Sequence, residues 1–415
     1  MTSKAAQVDL AVDADDLIVT GPATLTDRRC RLFFKSILGA TETDTGWRCP
    51  RRHVPLASHI IRVNTFLERY GYKVARHGVV DREVVRDLER RQSFIRTREA
   101  ASAWRSGSSL LDLNSIKARL ADFGWSSARV LRPHQEEGLE HALTAANAAN
   151  FSVPGSGKTA TALAVAASHL ATGTISLVVV IGPLACFGPW EHETQIALGS
   201  VLPVQRVRGT SLARREAYAE VRPGALLLIS YASAAADRLA LIELCKANST
   251  MMIVDESHRI KRFRGGLWAP ALVDIAKYAR VRMILSGTPM PQGGRDLFRQ
   301  LNVLWPGEEL TGSRDAFAAR VDTSFTSILN DVQPFMSRTP KQALGLQPYQ
   351  VYRHEVPLQG TQAEIYHLIL SGLRRRIDDA ETWADKIETL RRARPIRLIQ
   401  ARAPAKVFLL FTGLW

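Results

Sequence analysis

Cysteine is scarce in this chain: four in 415 residues, at 30, 49, 186 and 245, with no CxxC pair. Such spacing excludes a disulfide framework and fits a reducing compartment. Cys30, Cys49 and His53 have no second pair of zinc ligands beside them, so isolated thiols are the expected state. Long apolar runs are missing as well. The longest, Ser176 to Cys186, is broken by Gly182-Pro183 and is shorter than the roughly 20 residues a membrane span requires. The opening MTSKAAQVDLAVDADD lacks the basic start and apolar stretch of a signal peptide, so the expected location is cytoplasmic, with no membrane partner. Neither an internal repeat nor a low-complexity linker is visible. Acidic residues are outnumbered, 40 against 55 Lys and Arg, for a net charge of +15. That surplus suits a polyanion, because each neutralised phosphate releases condensed counterions. The sum does not choose DNA over RNA, and a basic surface kept for solubility would give the same total.

What is present is an ordinary globular composition, 46% hydrophobic and 23% charged, on a chain long enough for two or three domains. Residues 1–125 hold few apolar runs and many arginines. Helical spacing over Val54 to Tyr70 and a charged stretch over Asp81 to Trp104 predict a mainly helical accessory region. The arginines of the second stretch could track a phosphate backbone or pair with their own Asp and Glu neighbours. From about Leu131 the pattern changes to short apolar runs separated by helical stretches. Candidate strands are Ser176 to Ile181, Ala225 to Ser230, Met251 to Val254 and Arg282 to Leu285. Strands alternating with helices predict an α/β domain over 126–310, a parallel sheet covered by helices with its ligand site at the carboxyl ends of the strands. Residues 311–415 read as a helical bridge leading towards a further lobe.

The strongest chemical signal is Ser152-Val153-Pro154-Gly155-Ser156-Gly157-Lys158-Thr159, which opens an alanine-rich helix at Ala160. This is a P-loop with Ser152 where glycine is usual. Gly155, Ser156, Gly157, Thr159 and Ala160 would offer backbone N–H groups to the phosphates of ATP. Lys158 would reach the β and γ phosphates, and the Thr159 hydroxyl would meet Mg2+. Next, the apolar run Met251 to Val254 delivers Asp255-Glu256-Ser257-His258 at a strand end. Asp255 is expected to hold magnesium and Glu256 to orient and deprotonate the attacking water. A bare helix cap carrying extra acid is the plainer alternative, and the upstream P-loop weighs against it. Ser286-Gly287-Thr288-Pro289 follows the next apolar strand; in isolation it would be only a turn.

Together these motifs, in this order, resemble the first RecA-like lobe of a Swi/Snf-like ATPase of helicase superfamily 2, over Leu131 to about Tyr366. Arg132-Pro133-His134-Gln135 is similar to the family's Q-type motif, which implies a base contact for Gln135. Val178 to Pro183 with Trp190 and Glu193 resembles motif Ia, and Ile229-Ser230-Tyr231 resembles motif Ib. Asp255 to Lys261 resembles the extended DExHxxK box, while Leu297 to Gly307 is similar to the stretch after motif III. Ser286 and Thr288 then correspond to the motif III hydroxyls that couple nucleotide state to the nucleic-acid track. Phe335 to Tyr366, with Arg338, Gln362 and Tyr366, resembles the bridge to the second lobe.

The resemblance implies a DNA-dependent helicase-like ATPase, using ATP and Mg2+, that translocates on double-stranded DNA. A nucleotide-dependent DNA-binding fragment without turnover and an RNA-acting superfamily 2 helicase are the alternatives. Arg397 to Gln400 still resembles a family helix, whereas Pro404 to Trp415 does not. The expectation is a frameshifted or prematurely ended reading frame, with a second polypeptide as a candidate source of the other lobe and its arginine finger.

Overall fold

Alternation decides the first strands. In β1 (Gln7–Asp13) Val8 and Leu10 are buried with Asp9 between them, and in β2 (Asp16–Thr20) Leu17 and Val19 are buried while Ile18 on the other face is only half-buried. They pair antiparallel, and β3 (Thr41–Thr43), β4 (Gly46–Cys49) and β5 (Lys73–Arg76) complete a sheet of order β3-β4-β2-β1-β5. Helix α1 (Leu56–Arg69) sets fully buried Ile60, Val63 and Leu67 in a core shared with Trp47 and Phe34, whose rings stack at 5.5 Å. Cys30 and Cys49 are buried in the same core as free thiols, and burial pushes Cys49 up to about 12.

The structure is a computed structural model that describes residues 6–345 apart from 14–15, 51–55 and 109–110, with scattered residues between 359 and 375. The chain divides into two compact units, Met1–Leu346 and Gln347–Trp415, and everything described below lies in the first. The expected matches at Gln362 and at Arg397 to Gln400 fall outside the described residues.

A single helix, α2 (Val79–Arg105), belongs to both hydrophobic cores of this unit. Its Val80 and Val84 close the small core, while Phe94 and Ala101 enter the large one. Phe94 meets the rings of Trp305 at 4.9 Å and Phe335 at 5.4 Å. Its arginines show one of the two expected fates, pairing with acidic neighbours on the helix, and add another, contacts to other elements. Arg86 pairs with Glu83 and Arg91 with Asp87 on the same helix. Arg90 bridges Asp87 to Glu309, Arg98 reaches Asp331 at 2.8 Å, and Arg105 donates to the Met336 carbonyl.

The large core surrounds seven parallel strands, order β12-β6-β11-β10-β7-β9-β8: β6 (Asn147–Asn150), β7 (Leu177–Gly182), β8 (Val204–Val207), β9 (Ala225–Ser230), β10 (Thr250–Val254), β11 (Val281–Leu285) and β12 (Met336–Ser337). Helices α3 (Pro133–Ala145), α4 (Lys158–Ala171), α5 (Phe187–Leu198) and α6 (Leu297–Leu304) are among those that cover it. The result is the RecA-like α/β fold. All four strands expected from sequence are present within a residue or so, and β6, β8 and β12 are additional. In β6, NAAN, the strand is buried because its polar side chains serve backbone groups. Asn147 Oδ1 accepts from Arg282 N at 2.9 Å, and Asn150 Oδ1 accepts from Ser152 N at 3.1 Å.

Candidate functional site

Parallel strands end on one edge of the sheet, and there the P-loop, the DESH box and the SGTP turn converge. The P-loop joins β6 to α4. Gly157 caps α4 with φ of +79°, a left-handed geometry that favours glycine, and the Gln135 side chain lies where a Cβ would stand. Gln135 is 4% exposed; its Oε1 accepts from Arg132 N at 3.0 Å and its Nε2 donates to Ser156 O at 3.1 Å. His134 Nε2 lies 2.9 Å from the same carbonyl. In this conformation the Gln135 amide braces the loop.

Ser152, the departure from the usual P-loop, has a local reason. Its hydroxyl accepts from Thr339 N at 2.9 Å and meets Thr339 Oγ1 at 3.2 Å, while Val153 N donates to Thr339 O at 3.2 Å. A glycine would lose the side-chain half of that tie. Lys158 folds back over the loop, its Nζ 3.1 Å from Ser152 O and 3.4 Å from Val153 O. Burial pulls its pKa below the ordinary lysine value, and the charges of Glu256 and Asp255 oppose the shift. Lysine and carboxylates therefore already sense one another. Thr159, half-buried, and Ala160, buried, begin α4 behind the loop, and Gly155 lies exposed at its tip.

Asp255 leaves β10 at 8% exposure with both carboxylate oxygens engaged: Oδ1 accepts from Glu256 N at 2.8 Å, and Oδ2 accepts from the Trp190 indole N–H at 2.9 Å. Glu256 sits at φ +52°, strained for a residue with a side chain, of the order of 1–3 kcal/mol. The Tyr231 hydroxyl holds that turn, lying 2.7 Å from Asp255 O and 3.3 Å from Glu256 O. The strained turn leaves the Glu256 carboxylate 42% exposed while Asp255 stays buried.

One direct contact and one bridging side chain join the SGTP turn to the box. Ser286 Oγ lies 3.2 Å from His258 Nδ1 and accepts from Thr288 N at 3.2 Å, and His258 Nδ1 is 3.1 Å from Glu256 Oε2. Burial lowers the His258 pKa, with Glu256 opposing. Gln300, fully buried in α6, accepts from Ser257 Oγ at 2.7 Å and donates to Pro289 O at 2.7 Å, so one side chain clamps box to turn. Gly287 presses on the P-loop, where a Cβ would come within 2.9 Å of Pro154 Cδ. Trp190 and Tyr231 were visible as motif matches without a role, and Gln300 carried none. Its signal was a glutamine amid the apolar positions of LFRQLNVL.

Lys158, Thr159, Asp255, Glu256, Ser286 and Thr288 thus share one edge, with Gln135 behind the loop. Among the described residues no three metal-ligating side chains gather. A magnesium ion held by phosphate oxygens, waters and one carboxylate requires no such cage, so the Thr159 hydroxyl and Asp255 fit it. No helix among the described residues is long and apolar enough to cross a membrane.

The SNF2-related domain matches residues 134–398. Two solved structures resemble the chain: a Sulfolobus solfataricus SWI2/SNF2 ATPase core in complex with dsDNA (21% identity, TM-score 0.44) and the core domain from the same organism (20%, 0.41). Each match covers 65% of this chain, which spans only 58% and 57% of those chains. Among curated proteins none matches.

Proposed function

The chain belongs to the SNF2-related domain family, and we propose that it is the ATP-binding and ATP-hydrolysing lobe of a DNA-dependent translocase. One observation carries the reading: a P-loop lysine and a two-carboxylate turn on the same sheet edge, with the buried carboxylate fixed by an indole and the other left open. Gly155 to Ala160 cradle the phosphates with backbone N–H groups, and Lys158 swings from its carbonyl contacts to the β and γ oxygens. Thr159 and Asp255 would hold Mg2+, which would supply positive charge to offset that of the phosphates. Glu256 orients the attacking water and accepts its proton. Ser286 and Thr288 pass the state of that turn to the nucleic-acid side.

Duplex DNA is the proposed track, on the family's character and the charge of +15. A second reading is nucleotide-dependent DNA binding without turnover, the behaviour of a lobe that acts without an arginine supplied from a facing lobe. Such a residue is worth about 10³–10⁵ in turnover in related NTPases. The experiment is ATP hydrolysis by the purified chain alone, with duplex DNA and with RNA. Stimulation by duplex DNA supports the translocase lobe, stimulation by RNA alone sinks it, and ATP binding without turnover favours the second reading.

A further inference from the structure

Beside the P-loop, on the side away from the carboxylates, lies a cavity of about 230 Å³. Its walls include Ser156 of the loop, Glu137 of α3, Arg338 and Thr339 beyond β12, and Trp104 and Arg105 at the end of α2. The volume is below the roughly 300–1,000 Å³ of pockets that take a whole small molecule, so it suits part of one.

Building on the nucleotide reading above, we infer that this cavity receives the purine end of the nucleotide and that Trp104 and Arg105, from the accessory helix, read it. The sheet gives the direction. Asp255 and Glu256 leave β10, two strands from β6 on one side, while the cavity adjoins β12, the neighbour of β6 on the other. From β10 to β12 is three strand spacings, about 14 Å, so a nucleotide with its terminal phosphate at the carboxylates extends towards this cavity. The loop itself calls for a ligand there: Ser156 is 3% exposed and its hydroxyl has no hydrogen-bond partner among the described residues. Gln135, the expected base contact, already has its carbonyl and one amide N–H occupied.

The chemistry on the wall is that of a purine edge. Arg105 is fixed by its bond to the Met336 carbonyl and retains further N–H donors for a ring nitrogen. Glu137 lines the same cavity and can accept from an exocyclic amino group. Burial lowers the Arg105 pKa and the Glu137 charge opposes that shift, which agrees with the two groups sharing one partly desolvated space. Trp104 is half-buried, its ring held 5.1 Å from that of His141 at a tilt of 58°, and it supplies an apolar wall. The accessory region would thereby touch the nucleotide directly.

Calorimetric titration of ATP and of inorganic tripolyphosphate into the full chain tests this. Arg105→Ala is expected to weaken ATP about tenfold, the loss of one hydrogen-bonded charge, and to leave tripolyphosphate unchanged. Unchanged ATP affinity, or an equal loss for both ligands, overturns the inference. Absent ATP binding by the unaltered chain, or binding that survives Lys158→Ala, overturns the nucleotide reading instead. Should Arg105→Ala fail to fold, 8-azido-ATP on the unaltered chain decides: ATP-competed labelling of the peptides holding 103–106 or 336–343 supports the assignment, and labelling elsewhere or none contradicts it.

Discussion

The two sheets of this unit treat buried polarity in opposite ways. Around the small sheet the buried polar residues, Thr24, His59 and Asn64, are scattered, and Thr24 closes a turn by donating to Gly21 O at 2.7 Å. In the large sheet, Asn150, Ser152, Ser156, Asp255, Ser257 and Ser286 are all buried at one edge. Burying a polar group without a partner costs free energy, so such a concentration persists where chemistry or a ligand uses it. The small sheet is built for packing, and on the function proposed above the edge of the large one serves phosphate chemistry. Helix α2 ties the two together.

Changes at that edge should therefore alter turnover with little effect on folding, and changes elsewhere the reverse. The largest expected effect is at the open carboxylate. Glu256→Gln should lower ATP turnover by about 10²–10⁴ with ATP affinity nearly kept, because a general base is lost and a phosphate cradle is not. Single-turnover hydrolysis beside equilibrium ATP binding checks it, and parallel loss of both would erase the distinction. Next comes the tie between regions. Arg90→Met leaves Asp87 and Glu309, both largely buried, without their shared cation, and should cost about 3 kcal/mol in urea unfolding. A change below about 1 kcal/mol would mean α2 is held by its buried Val80, Val84, Phe94 and Ala101 and its other polar contacts instead.

Trp190→Phe keeps a smaller aromatic ring in that buried place and removes the donor to Asp255 Oδ2. Turnover should fall about 10–100-fold and the Mg2+ concentration for half-maximal rate should rise, as for other groups that orient a ligating carboxylate. A lower rate at unchanged Mg2+ dependence would make the indole a packing residue only. The smallest effect concerns pH. Burial lowers His141 to about 4, so the unfolded chain binds the extra proton first, below about 6.5. Stability present at pH 7 is then lost as pH falls towards 4, by about 2 kcal/mol at pH 5 for this one group. Urea melts at pH 7 and 5 measure it, and His141→Leu should flatten the difference.

Much of the large sheet was legible because parallel strands buried on both faces read as short apolar runs, such as Leu177 to Ile181 and Met251 to Val254. The P-loop, DESH and SGTP segments were legible because their chemistry fixes residue types locally. β6 was not, since NAAN lacks an apolar run and is a strand through its pairing with β11 and β12, which come far later in the chain. The small sheet was hidden for another reason: β1 and β2 each bury only two residues in alternation, too few to outweigh the helical pattern around them. Trp190, Tyr231 and Gln300 hold the turn through contacts that span 24 to 65 positions in sequence. No local pattern encodes such a contact.

The central claim is that the polar edge of the large sheet is a nucleotide site, and calorimetric titration of Mg-ATP into the full chain and its Lys158→Ala variant tests it most directly. The account predicts one site per chain in the first and no measurable binding in the second. Equal binding by both, or none by the unaltered chain, would contradict it.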